Sequence, residues 1–228
     1  MSILRSASDA PALGQHAIAH QFDDLSQQNE ASDFGMWIFL ATEAMFFGGL
    51  FLTYTIYRVH DETAFASASR HLDLVWGTIN TVVLLTSSLT VVLAIHAAET
   101  QHRHYALFWL SATIALGLGF LGIKSFEYYE KYQLGLMPVS GLPFRWKGPD
   151  SAQAEMFFDL YYIMTGVHAI HMVIGLILFL ILLVQVARGR LLGEFSAPLR
   201  ITGLYWHFVD VVWVFLFPFL YLIGTRSQ

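Results

Sequence analysis

The sequence has no cysteine, so it cannot form a disulfide framework, a thiolate metal site or a thiol nucleophile. Charge is also scarce. Only 13% of residues are charged, about half the share usual in a soluble domain, which points to lipid as the main solvent. The 12 basic residues are scattered and the net charge is only −5, a balance that gives no footprint for nucleic-acid binding. No P-loop, dinucleotide fingerprint, nucleophile elbow or metalloprotease HExxH is present. Internal repeats and low-complexity tracts are absent too.

What the chain has in abundance is apolar residues, 56% of the total, with a mean hydropathy of +0.54. A bilayer core requires roughly 20 apolar residues in a helix. Five runs reach that length, at about 34–57, 74–95, 105–123, 160–187 and 201–224. They are continuous rather than alternating, which excludes barrel strands. The expectation is an all-α membrane protein, a bundle of five transmembrane helices in one domain over 34–228. Residues 1–33 read as a polar, soluble tail without an apolar core of signal-peptide length, so the first span is expected to act as the membrane signal.

The connections are short except the third, about 130–155, which carries Pro138, Gly141, Pro143, Gly148 and Pro149. Its Arg145, Trp146 and Lys147 are the anchors expected at a headgroup interface. Basic residues divide almost evenly between the two sides. The Arg188, Arg190 and Arg200 loop favours an N-in, C-out orientation.

Ionisable residues inside the spans are expensive and therefore informative. Glu43 lies near the middle of the first run. It reads either as a protonated carboxyl bonded to another helix or as a proton or lipid site. His168 and His171, three apart, share a helix face; they could ligate a metal with Glu43 or His207, or bond neighbouring helices. The incomplete ligand set favours helix bonding. His207 and Asp210 repeat that spacing and read as structural glue or a proton relay. Lys124 and Glu127 read as a solvated or snorkelled ion pair at the membrane boundary, with binding of a lipid phosphate as the alternative for Lys124. Ser111, Ala115 and Gly119 form a small-residue stripe expected to serve internal helix packing, with a docking face for another subunit as the alternative; Gly48 and Gly49 read the same way.

Four segments carry a resemblance. Residues 205–213, YWHFVDVVW, closely resemble the signature of subunit III of the haem–copper cytochrome c oxidases. Residues 165–171, TGVHAIH, resemble that family's TGxHxxH segment, and 41–47, ATEAMFF, its intramembrane glutamate motif with Thr where Ser is common. Residues 124–128, KSFEY, resemble the basic–acidic–aromatic end of the corresponding helix, and all four fall in the family's order.

The resemblance implies the five-helix form of the subunit, oriented N-in and C-out in a bacterial cytoplasmic membrane. No haem, copper or other metal would reside in this chain and it would have no catalytic centre. Haem and copper would belong to a large catalytic partner subunit performing oxygen reduction coupled to proton translocation. The chain would hold phospholipid in a cleft between helix groups and support proton uptake. Glu43, Lys124 and Glu127 would be associated with protons or lipid, and His168, His171, His207 and Asp210 would be polar ties between helices. Glu43 favours the cytochrome c branch, since the quinol branch often carries a different acid there. The alternatives are a related subunit of a quinol oxidase or nitric-oxide reductase system, a proton-coupled transporter, or a membrane haem protein, the last weakened by the histidine spacing.

Overall fold

The computed structural model describes residues 24–138, 144–146, 148 and 150–225. Most of the polar tail (1–23) and Gly141, Pro143, Lys147, Pro149 and Arg226 lie outside the described residues. Within them the chain is helical: α1 Leu25–His60, α2 Glu62–Ser69, α3 Leu74–Glu99, α4 Arg103–Gln133, α5 Ser151–Ala187 and α6 Ala197–Tyr221. All but the short α2 are long and apolar enough to cross a membrane.

The helices run past the apolar runs because caps, and not hydropathy, end a helix. Asp24 caps α1, accepting from the Gln27 amide at 2.7 Å, so the helix starts within the polar tail, nine residues before the apolar run. At 36 residues α1 is about 54 Å long, well beyond a ~30 Å hydrocarbon core. Asp73 caps α3 through the Val75 and Trp76 amides. Extension of α4 to Gln133 and the start of α5 at Ser151 shorten the third connection from the expected 130–155. Gly135, at φ +72°, turns the chain there and accepts from the Arg145 amide at 2.9 Å.

α3 and α4 form the most extensive contact, α6 lies against α3 and α5, and α4 packs on α5. α1 rests chiefly on α6. Only 11% of its most apolar stretch is buried, against 33–50% in the other spans, so it flanks a four-helix core.

Trp206 organises that core. Its indole N–H donates to Ser87 Oγ at 3.0 Å, and its ring fills the space over Gly175 and Gly117, where a Cβ would come within 2.8 Å and 3.0 Å of it. The same need for an acceptor couples Trp213 Nε1 to Thr81 Oγ1 at 3.1 Å, while Thr90 and Thr113 join α3 to α4 at 2.7 Å.

The stripe of Ser111, Ala115 and Gly119 faces outward, contrary to the internal packing expected of it; the inward face of α4 carries Thr113, Gly117 and Phe120. Gly48 and Gly49 are likewise exposed.

At the end opposite the α3–α4 turn, α2 closes the bundle. Tyr54 and Ser69 donate to the carbonyls of Phe219 and Leu220, and Arg70 donates to that of Gly224. The bonds to Phe219 and Leu220 satisfy carbonyls that the end of α6 leaves without helical partners.

Candidate functional site

The described part of α1 brings Glu43 to α5, where its Oε2 lies 3.2 Å from His171 Nε2. The other ring nitrogen of His171 faces the Val167 carbonyl at 2.8 Å. A carbonyl only accepts, so Nδ1 carries a proton. Nε2 of the neutral ring then has a lone pair and meets a carboxyl group. The contact requires one proton shared between them, either on Glu43 as a neutral acid or on Nε2 as an ion pair. Phe47 and Tyr205 flank the imidazole, at ring distances of 5.2 Å and 6.4 Å, and the Tyr205 hydroxyl donates to the His171 carbonyl.

His168, one turn away, occupies different surroundings. Its ring is buried between Phe120 and Trp213, with centroids at 5.5 Å and 5.2 Å, and neither nitrogen has a hydrogen-bond partner among the described residues. The two histidines therefore do not converge. No group of three or more His, Asp or Glu is brought to metal-binding proximity among the described residues.

His207 and Asp210 do not bond each other. His207 Nδ1 is 2.6 Å from Ser88 Oγ on α3. Ser88 stands beside the Asp210 carboxyl as well, though outside bonding geometry, and both Asp210 oxygens are buried without a partner. Of the four expected ties, His171 and His207 bond across to other helices; His168 and Asp210 do not.

Lys124 and Glu127 correct the sequence reading most. They form an ion pair at 3.0 Å, yet it is not solvated; Lys124 is 4% exposed and Glu127 1%. Lys124 Nζ donates to Glu127, to the Tyr161 hydroxyl at 3.0 Å and to the Tyr221 hydroxyl at 2.8 Å. Both phenols donate in turn to Glu127, Tyr161 at 3.0 Å and Tyr221 at 2.7 Å. The rings of Tyr128, Tyr161, Trp213 and Tyr221 lie 5.0–5.5 Å from the ammonium. Every charged atom of the pair is thus satisfied without water, and α4, α5 and α6 meet at it. Sequence reasoning missed Tyr161 and Tyr221, because their distance along the chain from Lys124 gives no signal that they meet it.

Between α1 and α6 runs an apolar groove with two hollows of about 390 and 430 Å³. Ala44, Phe208 and Val211 line both; His207 contributes the polar edge of the larger. Glu43 lines neither, being turned to the α5 flank of α1.

The family model described as cytochrome c oxidase subunit III matches residues 144–225, which take in α5 and α6. A protein of Staphylococcus aureus (strain USA300) named probable quinol oxidase subunit 3 is 32% identical over 203 residues, covering 89% of this chain and 94% of the relative. The protein of the same name from Staphylococcus haemolyticus (strain JCSC1435) matches with the same identity and coverage.

Proposed function

Because the chain belongs to the subunit III family of the haem–copper oxidases, we propose that it is the non-redox third subunit of a proton-pumping terminal oxidase. On this reading it associates with a large haem- and copper-bearing subunit, retains phospholipid and supports proton uptake by that partner. The observation that carries the reading is the Glu43–His171 pair, an intramembrane contact whose geometry requires a shared proton, on the one helix that stands away from the core. The apolar α1–α6 groove supports the lipid role, since its walls match acyl chains and its length follows two membrane spans. The N-in, C-out orientation belongs to the same proposal. It sets the Lys124–Glu127 cluster toward the outer side.

The electron donor is a finer question. The motif around Glu43 supports cytochrome c, while the names of the staphylococcal relatives support quinol. Both donors would dock on other subunits.

Purification of the intact complex under mild detergent tests the reading. The chain should co-purify with a larger haem–copper subunit, and a complex stripped of it should begin turnover normally but inactivate sooner. Oxygen uptake with reduced cytochrome c against a quinol identifies the donor. Isolation of the chain alone, with stoichiometric haem, would overturn the proposal.

A further inference from the structure

His207, Ser88 and Asp210 form a site that the subunit role above does not use. Asp210 is buried at 3% exposure near the middle of α6, and neither oxygen has a partner among the described residues. A carboxylate left in that state in a bilayer is strongly disfavoured, so the group needs a proton or a donor. Ser88 is a polar side chain beside it, and its hydroxyl is already 2.6 Å from His207 Nδ1. Glu43 is turned toward His171 on α5, and Lys124 is fully engaged by Glu127 and two phenols.

One hydroxyl between a carboxyl group and an imidazole nitrogen can be ordered in two ways. With Asp210 protonated, its O–H points to Ser88 Oγ and the Ser88 proton points to Nδ1, leaving the His207 proton on Nε2. With Asp210 ionised, Nδ1–H points to Ser88 and the Ser88 proton points to the carboxylate. The two differ by one proton and by the tautomer of His207. His207 is half-buried and lines the wall of the larger hollow, so one end of the chain is open to the groove while Asp210 is closed off.

We infer that His207, Ser88 and Asp210 constitute a proton-relay site that charges and discharges Asp210 through the α1–α6 groove. In discharge the Asp210 proton passes to Ser88 Oγ, the original Ser88 proton passes to His207 Nδ1, and the Nε2 proton leaves to a water molecule in the groove. The products are the Asp210 carboxylate, a Ser88 hydroxyl, a neutral His207 protonated on Nδ1, and hydronium. No electrons move, and recharging reverses each step. A rotation of the Ser88 hydroxyl into line with Asp210 completes the chain.

Infrared spectroscopy of the purified complex with the full-length chain reads this directly. The wild type should show a protonated-carboxyl C=O band that Asp210→Asn removes and that shifts on transfer to heavy water. Ser88→Ala should keep the band but slow its exchange by about 100-fold, the low end of what a positioned acid–base group contributes. Ser88→Thr should restore fast exchange. His207→Gln should slow it as Ser88→Ala does, and this variant decides the matter if Ser88→Ala fails to assemble. A missing Asp210 band, or exchange equally fast without the hydroxyl and without the imidazole, would overturn the relay. These readouts follow the protonation of Asp210 and not turnover, so they stand apart from the test of the oxidase role.

Discussion

Glu43 on α1 and His171 on α5 share a single proton across a 3.2 Å contact, because the second ring nitrogen of His171 is committed to the Val167 carbonyl. This separates hydrogen bonding from proton release. Glutamine at 43 can still donate to Nε2 but has no proton to give up, whereas leucine can do neither. Glu43→Gln should therefore assemble with a stability within about 0.5 kcal/mol of the wild type, and Glu43→Leu should lose about 1 kcal/mol, the scale of interhelical bonds in membranes. Thermal unfolding of the purified complex measures both. If Glu43 serves proton supply, Glu43→Gln also shortens sustained turnover; unchanged turnover and lipid content would leave it a packing residue.

The Lys124–Glu127 cluster predicts strong non-additivity. Lys124→Met leaves a carboxylate in a closed pocket, and Glu127→Gln leaves an ammonium there, each at a cost of about 3–5 kcal/mol. Joining Lys124→Met with Glu127→Gln removes both charges, so the double variant should cost much less than the sum of the singles. Unfolding in detergent gives the three values. Strict additivity would mean that the ion pair does not act as a unit.

The five spans were legible in the sequence because a lipid-facing helix must be apolar for about 20 residues, a signal that needs no partner. The ends of the helices were not. Asp24, ten residues before the first apolar run, starts α1 through a local cap. The extension of α4 beyond its run carries Lys124 and Glu127 alongside Tyr161 of α5 and Tyr221 of α6, which is why a pair that read as lying at the surface is buried. Partner choice was equally hidden. Glu43 and His171 are 128 residues apart, and the preference of His171 over His168 depends on the rotation of α5. The stripe of Ser111, Ala115 and Gly119 misled because small residues permit close packing without requiring it.

Glycine positions separate permission from requirement. A Cβ on Gly175 would lie 2.8 Å from the Trp206 ring, which cannot recoil because its indole is bonded to Ser87 and its far edge packs over Gly117. Gly175→Ala should destabilise the chain by about 1–3 kcal/mol, the usual penalty for overpacking. Gly119 has nothing within 4 Å of the same construction, so Gly119→Ala should be neutral or stabilise by up to about 1 kcal/mol through helix propensity. Midpoints of thermal unfolding in one detergent compare the two. A Gly175→Ala protein as stable as the wild type would show that α5 and α6 can slide apart at little cost.

The groove between α1 and α6 allows the lipid role to be tested without touching an ionisable group. Ala44 lines both hollows and Gly48 the smaller one, and nothing lies within 4 Å of a Cβ built on Gly48. Ala44→Phe with Gly48→Leu should therefore fill the groove while leaving the four-helix core unstrained, because both positions sit on the exposed flank of α1. The altered complex should carry fewer tightly held phospholipids per chain, measured by extraction or native mass spectrometry after detergent washing. Its thermal midpoint should remain close to that of the wild type, since apolar side chains replace apolar tails and no hydrogen bond is lost. Should the phospholipid inventory be unchanged, lipid is held elsewhere on the chain. A loss of lipid joined to faster inactivation, with the Glu43–His171 pair intact, would tie sustained turnover to the groove and separate it from the proton held by α1 and α5.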